Sequence, residues 1–115
     1  MKQYKIVVIC MCILLLLAGG AYAQQKTVRI LAIGNSFSQD AVEQYLHELA
    51  EAEGFSTIIG NMFIGGCSLE RHVKNARNNA PAYAYRKIGT DGKKREKGKM
   101  SLEAVLADEA WDYVS

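Results

Sequence analysis

Thr27–Ile33, TVRILAI, is the stretch that most narrows the choice of fold. It is rich in β-branched and apolar residues and so reads as a strand. After Arg29 no position is polar. A half-buried strand alternates, so a continuous apolar run argues for burial on both faces, the signature of a parallel sheet with helices on either side. Gly34 ends the run and Asn35-Ser36 follow.

The rest of the chain repeats this alternation. SQDAVEQYLHELAEAEG reads as one helix, with Ser38 as N-cap, Asp40 in the first turn and Gly54 as the stop. Val42, Tyr45, Leu46 and Leu49 fall at i, i+3, i+4, i+7 and predict its buried face; His47 falls on the opposite, solvent face. Ser56–Gly66 reads as a second strand. Ser68 caps a short helix carrying Leu69, Val73 and Ala76. In residues 82–100, alternating tyrosines and then Asp91-Gly92 predict a β-hairpin that projects from the domain. Ser101 caps a third helix, and WDYVS begins another core strand, with Trp111 in the core. The order β-α-β-α-hairpin-α-β predicts an α/β layered fold with a parallel sheet.

The first 23 residues stand apart. Lys2 and Lys5 precede an unbroken apolar run, Ile6 to Ala18, and Ala21-Tyr22-Ala23 is a small-x-small cleavage site. That order is a secretory signal peptide, cleaved near Ala23, and it predicts a secreted or periplasmic protein. The run falls short of the ~20 residues a membrane span needs, so no stable membrane insertion is expected after cleavage. Cleavage removes two lysines and leaves 12 basic against 12 acidic residues, which argues against a nucleic-acid partner. Cys10 and Cys12 leave too. Cys67 alone cannot form an internal disulfide, so the fold must rest on its hydrophobic core. The final residues read as the opening of a buried strand, so residues 24–115 are expected to be part of a larger domain.

Ser36 lies two residues past the first strand and just before a helix. Ligands of parallel α/β sheets bind beyond the carboxyl ends of the strands, and helix N-termini favour negative charge. A serine there suits acyl transfer; taken alone, the stretch reads more readily as a plain helix cap. Gly65 and Gly66, closing NMFIGG, come at the same edge of the sheet, where a backbone N–H can turn toward the same point or simply form a tight turn. The stretch is not the Gly-x-Ser-x-Gly elbow, because Ser38 replaces the last glycine. It also lacks a phosphate loop and a dinucleotide fingerprint, so no cofactor is expected. No His/Cys/Asp/Glu grouping has metal-ligand spacing.

AIGNSFS, a second strand closing in Asn-x-x-x-Gly-Gly, and Trp-Asp-Tyr-Val opening the third core strand together resemble the SGNH (GDSL-like) hydrolase superfamily. The match is to the secreted bacterial group whose first block is Gly-Asn-Ser-Phe-Ser. The resemblance covers the first half of that family's domain, a three-layer α/β/α, flavodoxin-like sandwich with a mainly parallel sheet, which would be incomplete in this chain. It implies Ser36 as nucleophile, the Ser36 and Gly66 N–H groups as oxyanion donors, and Asn35, where aspartate is commoner, as loop support by hydrogen bonds. The third donor and the Asp-x-x-His that supplies the base would lie beyond Ser115. His47 and His72 are poor substitutes, one read as solvent-exposed, the other as a partly buried packing or surface residue. The implied activity is a secreted serine esterase, acting on a small-molecule or carbohydrate ester, with residues 24–115 inactive alone.

The rival expectation is a non-catalytic, secreted glycan-binding module with the same fold. Tyr83, Tyr85 and Trp111 offer faces that stack on sugars, and Lys93–Lys99 offers charge for an acidic polysaccharide. Core packing and a solvated hairpin tip account for the same residues. An Asp-x-x-His late in the longer protein favours the enzyme; its absence favours the binder.

Overall fold

The computed structural model describes residues 3–5 and 25–115. The expected signal peptide, with Cys10 and Cys12, lies almost wholly outside the described residues. The chain is α/β. Strands β1 (Thr27–Gly34), β2 (Ser56–Phe63), β3 (Tyr83–Ile88), β4 (Lys94–Met100) and β5 (Tyr113–Val114) form one sheet in the order β4-β3-β2-β1-β5. Helices α1 (Ser36–Glu43) and α2 (Leu46–Ala52) connect β1 to β2. Helix α3 (Leu69–Arg77) follows β2, and α4 (Leu102–Leu106) precedes β5.

β1 pairs parallel with both β2 and β5, in register from Thr27↔Ser56 to Gly34↔Phe63 on one side and at Ile30↔Tyr113 and Leu31↔Val114 on the other. β3 and β4 add antiparallel pairs. The hairpin therefore does not project from the domain; it extends the sheet beyond β2, which makes the sheet mixed rather than mainly parallel. The cause is its tyrosines. Tyr83, Tyr85 and Ile88 are buried, and the strand that carries them must lie against β2 to bury them. β4, exposed along almost its whole length, carries four cationic side chains and closes the sheet with a charged edge that resists further pairing.

Paired residues share a face. Leu31, Met62, Tyr83, Tyr85 and Val105 form a fully buried cluster on one face, with Ile33, Ile64, Met100, Leu102 and Trp111 packed against it. Each fully buried Leu or Val contributes about 1.5–3 kcal/mol. Trp111 lies over Gly60: a Cβ there would meet its Cη2 at 2.6 Å. Its Nε1 donates to the Val105 carbonyl at 2.9 Å, tying β5 to α4.

α1 and α2 cover the opposite face. The single helix expected across Ser38–Gly54 is interrupted at Gln44-Tyr45, and its cap is Asn35, not Ser38. The break shifts the helical phase. Tyr45 and Leu49 face solvent, while His47 is buried, with Nδ1 2.9 Å from Thr57 Oγ1. The expectation of an exposed His47 is thus corrected. α3 and α4 begin with Ser68 and Ser101 as caps, accepting from Arg71 N at 3.2 Å and Ala104 N at 3.3 Å. Leu69 and Val73 on α3 are exposed. Among the described residues, no helix is long and apolar enough to cross a membrane.

Candidate functional site

β2 and β5 flank β1, and the connecting helices lie on opposite faces: α1–α2 against the face bearing Thr57 and Asn61, α4 against the face bearing Leu31. The carboxyl end of β1 is therefore the point where strand order reverses, the place where open α/β sheets form a crevice. Ser36 opens α1 there and is exposed. The Ile64 N–H donates to the Gly34 carbonyl at 3.1 Å, pinning the exits of β1 and β2 together. Ser36 is two residues past one end of that bond; Gly66 is two residues past the other.

Asn35 organises the turn. Its Oδ1 accepts from Phe37 N at 3.0 Å, and its carbonyl accepts from Ser38 N at 3.1 Å. These bonds satisfy two of the open donors of the helix N-terminus. Among the described residues, neither the Ser36 nor the Gly66 N–H donates to a backbone acceptor in this edge. Gly66 has φ +63°, the left-handed region that a side chain makes costly. Cys67 beside it is buried and free, its Sγ 3.6 Å from the Ser68 carbonyl. His72 stacks on Tyr83 and places Nδ1 2.9 Å from its hydroxyl, a packing role inside α3. Burial holds the Tyr83 phenol above its ordinary range, so it stays neutral.

Beneath Ser36 lies a buried polar network that sequence reasoning missed. The Ser38 hydroxyl sits 2.7 Å from the Asn35 carbonyl and 2.9 Å from Asn61 Oδ1. Asn61 is fully buried, and its Nδ2 donates to Glu43 Oε1 at 2.8 Å. The Glu43 carboxylate, 2 % exposed, meets Arg86 Nη1 at 3.2 Å and Lys94 Nζ at 3.3 Å. Donors thus face both carboxyl oxygens of Glu43, which fixes the Asn61 amide with its nitrogen toward Glu43 and its oxygen toward Ser38. Gly34 makes room for the turn: a Cβ on it would stand 3.0 Å from both Ser38 Cβ and Oγ. One signal in the sequence pointed here, an asparagine inside the apolar run IIGNMFI, since a buried amide requires partners.

A hollow of about 380 Å³ lined by Glu70, Val73, Lys74, Arg77 and Asn78 lies along α3 and includes neither Ser36 nor Gly66. Among the described residues, no group of three or more His, Cys, Asp or Glu side chains is placed to hold a metal ion.

Residues 29–115 match the sequence profile of a family described as a domain of unknown function, DUF4886. The chain belongs to the DUF4886 family. It is similar to a DUF4886 family protein from Bacteroides uniformis ATCC 8492 whose crystal structure is solved at 1.50 Å, with 73% identity and a TM-score of 0.75 over 77% of this chain. The aligned part is 34% of that protein, so this DUF4886 chain spans about a third of its solved relative. No curated protein matches it.

Proposed function

We propose that this DUF4886 segment is the nucleophile-bearing part of an exported serine esterase of the SGNH type, built as a three-layer α/β/α sandwich. The observation that carries this reading is an exposed serine opening a helix at the strand-order reversal. The exit of the neighbouring strand is hydrogen-bonded alongside, and two backbone N–H groups are left over at that edge.

In the proposed reaction the Ser36 hydroxyl attacks an ester carbonyl, its proton passing to a histidine base supplied from outside this chain. The carbonyl oxygen becomes an oxyanion held by the Ser36 and Gly66 N–H groups and one further amide. The alcohol leaves with a proton from the base, and water then releases the acid from Ser36. Preorganised donors of this kind are worth about 3–4 kcal/mol each in the transition state. The substrate class, a small acyl ester and plausibly one on a carbohydrate, rests on the SGNH resemblance and the expected export.

The test is hydrolysis of p-nitrophenyl acetate by the full-length protein containing this segment, compared with its Ser36→Ala variant. Loss of turnover in the variant supports the reading. Turnover that survives the substitution contradicts it, and a folded full-length protein without turnover favours the glycan-binding alternative.

A further inference from the structure

We infer that Arg86, on the β3–β4 hairpin, is a positioning residue for the Ser36 turn, acting through Glu43, Asn61 and Ser38; this inference rests on the nucleophile reading of Ser36. The contacts are continuous. Arg86 Nη1 meets Glu43 Oε2 at 3.2 Å, and Glu43 Oε1 accepts from Asn61 Nδ2 at 2.8 Å. Asn61 Oδ1 lies 2.9 Å from Ser38 Oγ, which lies 2.7 Å from the carbonyl of Asn35, the residue just before Ser36. The hairpin thus reaches the backbone on both sides of Ser36 without touching it.

Three features make the link directional rather than incidental. Arg86 is itself held from two sides: its Nε donates to Glu96 at 2.7 Å, and its guanidinium lies 4.7 Å over the Phe63 ring. Asn61 is fully buried on the middle of β2, so its amide cannot turn to water if Glu43 moves. Ser38 has one proton for two acceptors. If the Asn61 oxygen withdraws, the hydroxyl reverts to Asn35 alone and the turn loses its anchor to β2. Lys94 still neutralises Glu43 when Arg86 is changed, so the carboxylate stays compensated and the fold survives the test.

The experiment uses the full-length protein and two readouts. The first is the rate at which a fluorophosphonate labels Ser36. The second is amide hydrogen exchange across residues 35–40, which needs no chemistry. Arg86→Met and Ser38→Ala are each expected to slow labelling about tenfold or more and to speed exchange in this segment, with cooperative unfolding retained. Arg86→Lys should recover part of the rate, and Lys99→Ala on the same hairpin should change neither readout. Labelling within twofold of wild type together with unchanged exchange in both variants overturns the inference. If the wild-type protein is not labelled at all, the esterase reading falls, and exchange alone decides whether Arg86 orders the turn.

Discussion

Asn61 Nδ2 and Glu43 Oε1 meet at 2.8 Å beneath α1, one side chain from the centre of the sheet and one from the end of the covering helix. Neither group can be buried alone. Glu43→Ala leaves Asn61 and Arg86 without their acceptor, and breaking a buried ion pair costs about 3 kcal/mol at the lower end of the usual range. The lower end applies because Arg86 retains Glu96 and Lys94 is half exposed. The midpoint of guanidinium unfolding should fall accordingly, and an unchanged midpoint would show that the pair contributes nothing.

A second charge cluster makes stability depend on pH. Lys87 bridges Asp108, at 3.0 Å, and Glu109, which also meets Arg29 at 3.3 Å. Burial alone would raise the Asp108 carboxyl, but hydrogen bonds from Lys87 and Tyr85 outweigh it and hold the group below the usual carboxylate range. Hydrogen bonding to Lys87 holds Glu109 down as well. A depressed folded-state pKa contributes stability that is present above the ordinary carboxylate values of about 4 and is lost as pH falls through the folded values. Lys87→Met should therefore lower stability at pH 7 by about 1–2 kcal/mol and flatten the acid limb of stability against pH. Urea titrations at pH 7 and pH 3 measure both.

Much of this architecture was readable from local chemistry. Ser68 and Ser101 cap their helices as expected because capping involves neighbours two or three residues away. The apolar run of β1 announced a strand flanked by parallel partners for the same reason. What failed depends on distant residues. The break at Gln44-Tyr45 has no glycine or proline to mark it, and Glu43 turns inward toward Arg86, 43 positions away in sequence. Once that turn is made, His47 rather than Tyr45 faces the sheet. The hairpin was legible as a hairpin from Asp91-Gly92, but its place in the sheet is set by burial of Tyr83 and Tyr85 against Met62 and Leu31. At the candidate site, Asn35, Ser36 and Gly66 were visible as a motif; the support under them was not.

Gly60 tests the packing of Trp111. An added methyl would need to displace an indole carbon from 2.6 Å and a Leu31 methyl from 3.0 Å. Gly60→Ala should cost about 1–3 kcal/mol by overpacking. Combined with Trp111→Phe, which removes the colliding ring edge, the loss should be less than the sum of the two single changes. Strict additivity in the thermal unfolding of the double variant would contradict the contact.

Gly66 offers a test free of steric overlap, because a Cβ there would have nothing within 4 Å. Gly66→Ala should cost about 1–2 kcal/mol through its left-handed backbone alone, and Gly66→Asn less. In the full-length protein both should slow acylation of Ser36 by more than the stability loss accounts for, since the turn that aims the N–H is what is disturbed. Equal stability of wild type and Gly66→Ala would refute the strain argument.

The most direct measurement is peptide mass spectrometry of the full-length protein after treatment with a fluorophosphonate. The expected result is one adduct, on the peptide containing Ser36, absent from Ser36→Ala and from protein unfolded before treatment. An active protein modified at another serine, or left unmodified under conditions that label known serine esterases, would contradict Ser36 as the nucleophile.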